Sequence, residues 1–223
     1  DLLPIQFPEY FPEGTIDWYS QWLSVVAKND GAICISKSVA NNLRAWVQKN
    51  SPKRQRPLEI SWYHNGADID ASLPSKGLPA SSKGILKQLK ERLSFLMVGT
   101  IEPRKGHTQV LDAFEKLWQE GTNANLIIVG SEGWQDLPDE MRRTIPIITK
   151  RLRYHAELGK KLFWLEDISD EYLEKVYETS TCLIAASEGE GFGLPLIEAA
   201  QHKLPIIARD IPVFREVASE HAF

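Results

Sequence analysis

The chain has 223 residues, 43% of them hydrophobic and 25% charged, with a formal net charge of −4. That length supports one large domain or two small ones with a real core, and the mild acidity argues against nucleic acid as a partner. No apolar run approaches the roughly 18 residues of a membrane-spanning helix, and the opening Asp1-Leu-Leu-Pro-Ile lacks the charged and apolar regions of a signal peptide.

Residues 1–15 read as irregular, with Pro4, Pro8, Pro12 and Gly14 between aromatic residues. Ile16 to Lys28 reads as a helix with Trp18, Trp22, Val25 and Val26 on its apolar face. A strand at 31–35 follows, then Ser36 as the N-cap of a helix running to about Lys49. The polar, proline-bracketed stretch 50–57 reads as a linker. Residues 58–63 form a short strand ending near Asn65-Gly66, and 71–84 read as a surface loop. The basic clusters at Lys49, Lys53, Arg54 and Arg56, and at Lys150, Arg151 and Arg153, read as a solvated linker and a solvated helix face.

A regular alternation begins at residue 94. Strands are expected at 94–99, 125–129, 162–165, 182–187 and 204–208. Helices are expected at 108–120, at 138–158 with an interruption at Pro146, at 170–179, at 194–201 and from Pro212. Continuously apolar strands alternating with helices imply a parallel sheet covered on both faces. The fold class is therefore α/β, a Rossmann-like, doubly wound sheet. Cys34 and Cys182, the only cysteines, each sit in an apolar run, and the five histidines never stand at ligand spacing. Buried reduced thiols and no metal are the expectation, and the thiols suit a cytoplasmic protein.

Open parallel sheets bind ligands at the carboxyl ends of their strands. One loop there, Gly99-Thr100-Ile101-Glu102-Pro103-Arg104-Lys105-Gly106-His107, carries adjacent cations suited to a diphosphate. The other is Glu190-Gly191-Phe192-Gly193-Leu194-Pro195-Leu196-Ile197-Glu198. Its strand, glycine turn and helix start present backbone N–H groups and a positive dipole end to an anion. The two flanking carboxylates suit the hydroxyls of a sugar nucleotide. Glu188 reads as an ordinary loop acid, His107 as a helix-start residue and His202 as a surface residue.

Together the two loops resemble the retaining, GT-B-fold glycosyltransferases of family 4 (glycosyl transferases group 1), mostly their C-terminal donor-binding domain. Asn65-Gly66-Ala67-Asp68, Ser169-Asp170-Glu171-Tyr172-Leu173 and the stretch 204–217 support the likeness, which covers roughly residues 58–223. The resemblance implies that Arg104, Lys105 and Glu190 are the catalytic set, the two cations on the donor diphosphate and Glu190 on the transferred sugar. It assigns donor binding to Gly99, Thr100, Ile168, Gly191, Phe192, Gly193, Leu194 and Glu198, the last on the ribose. Many relatives carry an arginine where this chain has Thr100, which leaves the cationic role to Arg104 and Lys105.

The implied reaction moves a hexose of mannose or glucose type from a GDP-, UDP- or ADP-linked donor to an acceptor hydroxyl, without cofactor or metal. Its setting would be polysaccharide or glycolipid synthesis at the inner face of a membrane, with a glycan or lipid-linked acceptor and peripheral membrane contact. The resemblance further implies that residues 1–56 are the tail of the acceptor-side domain and 57–223 the nucleotide-sugar domain, closing helices missing. Such a fragment would be inactive alone. Two other readings are a non-catalytic nucleotide-sugar-binding module and an NAD-dependent oxidoreductase. The latter finds Gly189 and Gly191 after a strand and Asp210 ending the next, but Leu194 stands where its third glycine belongs.

Overall fold

The computed structural model describes residues 1–50, 52–66 and 76–223. Ser51 of the linker, Ala67 and Asp68 of the Asn65 motif, and positions 71–75 of the expected loop lie outside the described residues.

The chain opens with a short helix α1 (Leu3–Gln6), a 3-10 turn at Pro8–Tyr10 and helix α2 (Thr15–Val26). Strand β1 (Gly31–Cys34), helix α3 (Lys37–Asn50) and strand β2 (Glu59–Trp62) then form a β-α-β unit whose two strands are parallel. Leu2, Leu23, Cys34, Val39, Ala40 and Leu43 make its core. The division expected at residue 57 put β2 with the larger sheet. Its hydrogen bonds run to β1 instead, because α3 supplies the crossover that a parallel neighbour needs. On α2 the buried residue is Leu23, while Trp18 is 62% and Val25 57% exposed. The face expected to be buried is thus largely the outer one.

The second unit starts with α4 (Ser82–Lys90), in part of the stretch expected as a loop. Strands β3 (Leu93–Val98), β4 (Ala124–Val129), β5 (Leu162–Leu165), β6 (Cys182–Ala185) and β7 (Ile206–Ala208) pair in the order β5-β4-β3-β6-β7, all parallel. Between them run α5 (His107–Gln119), α6 (Ile145–Arg153), α7 (Asp170–Thr179), α8 (Leu194–Gln201) and, after β7, α9 (Pro212–Ala218). Pro146 does not interrupt a long helix. It sits in the first turn of α6, where its missing N–H costs nothing.

Strand periodicity divides the core into two layers. On β4, Leu126 and Ile128 pack with Leu111, Phe114, Ile148 and Leu152 on one face. Ile127 and Val129 pack with Phe163, Val176, Tyr177 and Leu196 on the other. Every β4 residue is buried, and each such Leu or Ile contributes roughly 1.5–3 kcal/mol relative to exposure. The order reverses between β3 and β6, so the loops leaving those two strands flank the sheet's switch point.

The two units meet at the start of α3. Ser36 Oγ accepts the Val39 N–H at 3.1 Å, the expected cap, and donates to the Gly191 carbonyl at 2.8 Å. The Glu216 carboxylate on α9 accepts the N–H groups of Lys37 and Ser38 and faces His64 Nε2, each at 2.7 Å. Among the described residues no helix is long and apolar enough to cross a membrane.

Candidate functional site

The loop after β3 is shaped by glycine. Gly99 (φ 145°) lies so close to the end of β4 that a Cβ on Gly130 would stand 2.1 Å from its carbonyl oxygen. Glu102 leads into a 3-10 turn at Pro103–Lys105, and Gly106 (φ 77°) stands at the start of α5. A Cβ on Gly106 would fall 2.6 Å from the Ala186 carbonyl in the loop after β6. The Glu188 N–H donates to the Arg104 carbonyl at 2.8 Å, stitching the two loops together.

Three donors converge on one oxygen, Glu190 Oε1. Lys105 Nζ lies at 2.5 Å, Ser187 Oγ at 2.7 Å and Arg104 Nη1 at 3.3 Å. Arg104 Nη1 also donates to the Gly189 carbonyl at 2.8 Å, and Nη2 faces Glu102 at 3.1 Å. Burial pushes the Glu190 pKa upward, but Lys105 and Arg104 together outweigh it and hold the carboxyl below its ordinary range. Glu190 is therefore an anion at neutral pH, and the two cations share it. A cavity of about 20 Å³ lies among Lys105, His107, Ser187 and Glu190.

Gly193 (φ 92°) precedes α8, and Pro195 occupies its first turn. Among the described residues the backbone N–H groups of Phe192, Gly193 and Leu194 have no protein acceptor. Three donors and the positive end of a helix dipole are thus available to an anion. The Phe192 side chain is buried and lies 5.6 Å from the His64 ring, so it anchors the loop. Gly191 backs onto Asp1 and Ile35.

Glu198 stands one turn into α8, away from the cluster around Glu190. Tyr177 donates to its Oε2 at 2.6 Å, and the Tyr177 ring stacks on His202 at 5.2 Å. Burial raises the Glu198 pKa against the opposing pull of that hydrogen bond. Thr100 is exposed, while Ile168 turns its side chain onto the core. The neighbouring Asp167 (φ 50°) accepts from Ser131 Oγ at 2.6 Å. The expected site residues thus fall into three groups: the cation–Glu190 cluster, the α8 N-terminus with Glu198, and the 166–168 loop.

Sequence reasoning passed over Ser187, although it closes the apolar run of β6. It also read Glu188 as an ordinary loop acid, without its partners. Tyr10 donates to Glu188 Oε2 at 2.5 Å, Gln109 donates to Oε1 at 3.1 Å, and the phenol's pKa is raised to about 12, chiefly by that bond. Leu3 and Phe7 press on Gly189, where a Cβ would meet them at 2.8 and 2.5 Å. The first residues of the chain therefore lie against the Glu190 loop. Their partners are 178 positions away in the case of Tyr10 and Glu188, and no local pattern announces such a contact.

The sheet order and the two loops define the C-terminal, Rossmann-like half of a GT-B glycosyltransferase. The chain belongs to the glycosyl transferases group 1 family, whose model matches residues 81–222. It is 51% identical over its whole length to the serotype-specific mannosyltransferase WbdA of Escherichia coli, covering 27% of that protein. It is 33% identical to the O-antigen chain mannosyltransferase RfbU of Salmonella typhimurium, over 62% of this chain and 35% of that one. Among solved structures, "Trehalose-6-phosphate from E. coli bound with UDP-2-fluoro glucose" superposes with a TM-score of 0.66 at 14% identity, over 92% of this chain and 52% of that one. The chain thus spans about a quarter of the length of WbdA.

Proposed function

We propose that this chain is the donor-binding part of a family 4, retaining mannosyltransferase that uses a nucleoside-diphosphate mannose and no metal. The observation that carries the reading is the convergence of Arg104 and Lys105 on Glu190 at the switch point, beside the N–H groups of Phe192, Gly193 and Leu194, which have no acceptor among the described residues. The mannosyltransferase relatives favour mannose as the sugar and O-antigen polysaccharide as the product class.

In this reading the donor diphosphate takes Arg104 and Lys105 from Glu190, and the freed carboxylate turns to hydroxyls of the sugar. The N–H groups of Phe192, Gly193 and Leu194 meet sugar and phosphate oxygens. Glu198 accepts from the ribose, and the backbone of the Ile168 loop and Gly99-Thr100 bound the nucleoside. The bond between the anomeric carbon and the phosphate oxygen breaks as a bond to the acceptor oxygen forms on the same face. The acceptor's proton passes to the departing diphosphate, whose charge the two cations stabilise. The β1–α3–β2 unit belongs to the acceptor side, where a glycan or lipid-linked acceptor at a membrane's inner face would enter.

Calorimetric titration with GDP, UDP, ADP and NAD, and with the matching nucleotide sugars, tests this. Selective binding of one nucleoside diphosphate, weakened by Lys105→Ala and by Glu198→Ala, is the expected result. Binding of NAD in place of all three would overturn the reading.

A further inference from the structure

His107 has no part in the mechanism above, yet it is buried beside the cation–Glu190 cluster, at 2% exposure. The Glu102 backbone carbonyl lies near enough to the ring to favour its protonated form slightly. Nδ1 is buried without a protein partner among the described residues. In the Nε2–H tautomer Nδ1 is a bare acceptor. Burial first, and then the nearby Lys105 charge, lower the pKa to about 3, so the ring stays neutral throughout the working range.

A buried acceptor without a donor is costly. His107 lines the same small cavity as Lys105, Ser187 and Glu190. In that cavity the donors are in excess and crowd onto one carboxylate oxygen. The Lys105 ammonium has three N–H groups, and Glu190 takes one of them. A cavity of about 20 Å³ can hold a single water, since the threshold is roughly 10–15 Å³.

We infer that His107 is a positioning residue for Lys105: its Nδ1 is the second acceptor of the ammonium through one water in the cavity they both line, and keeps it aimed at the diphosphate after Glu190 lets go. The inference rests on the donor-site reading. It gives the residue after Gly106 a function that neither helix capping nor core packing requires. A neutral acceptor suits the task better than a second carboxylate, because it fixes the ammonium without cancelling the charge the diphosphate needs.

Substitutions that separate the two ring nitrogens test it. His107→Asn keeps an acceptor near the Nδ1 position and loses the Nε2 reach, whereas His107→Gln keeps the reach toward Glu102 and loses Nδ1. His107→Phe keeps the ring volume and loses both. Affinity for the nucleoside diphosphate that the wild-type chain binds is measured by calorimetry, with thermal melts of each variant alongside. The expected result is an Asn variant within about threefold of wild type, and Gln and Phe variants weaker by about tenfold. Loss of volume alone would reverse that order, since Gln and Phe fill the space better than Asn. Equal affinities across all three, or Asn weaker than Gln, would overturn the inference while leaving the donor site standing. A wild-type chain that binds no nucleoside diphosphate would remove the donor-site reading and this inference with it.

Discussion

Tyr177 on α7 donates its phenolic proton to Glu198 on α8, at 2.6 Å, between two helices that cover the same face of the sheet. The bond makes the proposed ribose-binding acid dependent on a core residue. Tyr177→Phe should cost about 1–2 kcal/mol of stability. It should also raise the Glu198 pKa further, because the phenol opposes the dominant effect of burial. Carboxyl-carbon NMR titration reads the second effect, and a drop in the Glu198 pKa would contradict the account.

Glu198 also fixes the sign of a pH effect. Its folded pKa is raised, first by burial, so its contribution to stability is full below the unfolded value and lost as pH rises through the folded one. Glu198→Gln should therefore flatten that fall and be at least as stable as wild type at neutral pH. The same variant should bind the nucleoside diphosphate about tenfold more weakly. Urea melts across the acid-to-neutral range check the first part.

Glu190 behaves in the opposite way. Burial raises its pKa, but Lys105 and Arg104 more than offset that, and the folded value is depressed. Stability from this group is present above the unfolded pKa and is lost as pH falls through the folded one. Lys105→Met leaves a buried carboxylate with Arg104 as its remaining cation and should cost about 1–3 kcal/mol at neutral pH. The cost should shrink in acid, where Glu190 takes up a proton.

Gly106→Ala tests the seam between the two loops. Its φ of 77° and the 2.6 Å approach of the Ala186 carbonyl give the methyl no relaxed position. A loss of about 1–3 kcal/mol is expected from the backbone strain alone. Separation of the seam should also weaken ligand binding, because the Arg104 carbonyl and the Glu188 N–H are part of it.

Gly189→Ala should disturb the N-terminal segment instead, because the added methyl meets the ends of Phe7 and Leu3. Phe7→Ala in the same chain should recover part of the loss, giving a coupling energy of about 0.5–3 kcal/mol in a double-mutant cycle. Strict additivity would show that the two residues do not touch in solution.

Much of the larger unit could be read from sequence because its signals are local. Ser169 capping α7 and Pro195 opening α8 announce those helices at the residues where they begin. Glycines at 99, 106 and 193 mark turns that adopt positive φ. The same reasoning missed α4, whose start holds Ser81, Ser82 and Gly84, a composition that also describes a loop. It misread α2, where the burial of Leu23 outweighs the larger aromatic residues on the outer face. Within the site, the motifs singled out Arg104, Lys105 and Glu190 for separate roles, and their pairing with one another emerges only when the two loops pack together. The neutral state of His107 and the Tyr10–Glu188 bond depend on burial and long-range packing, which carry no signature in the neighbouring residues.

Ser36 stabilises a helix and holds the loop that bears Glu190, using one hydroxyl for both. Glu216 caps the same helix from the opposite unit. A rotation that parts the units therefore cannot be a free hinge swing, since it leaves the first turn of α3 with unsatisfied amides. Domain opening and the fraying of one helix end become a single event, and amide exchange at Lys37 and Ser38 becomes a gauge of how far apart the two walls stand.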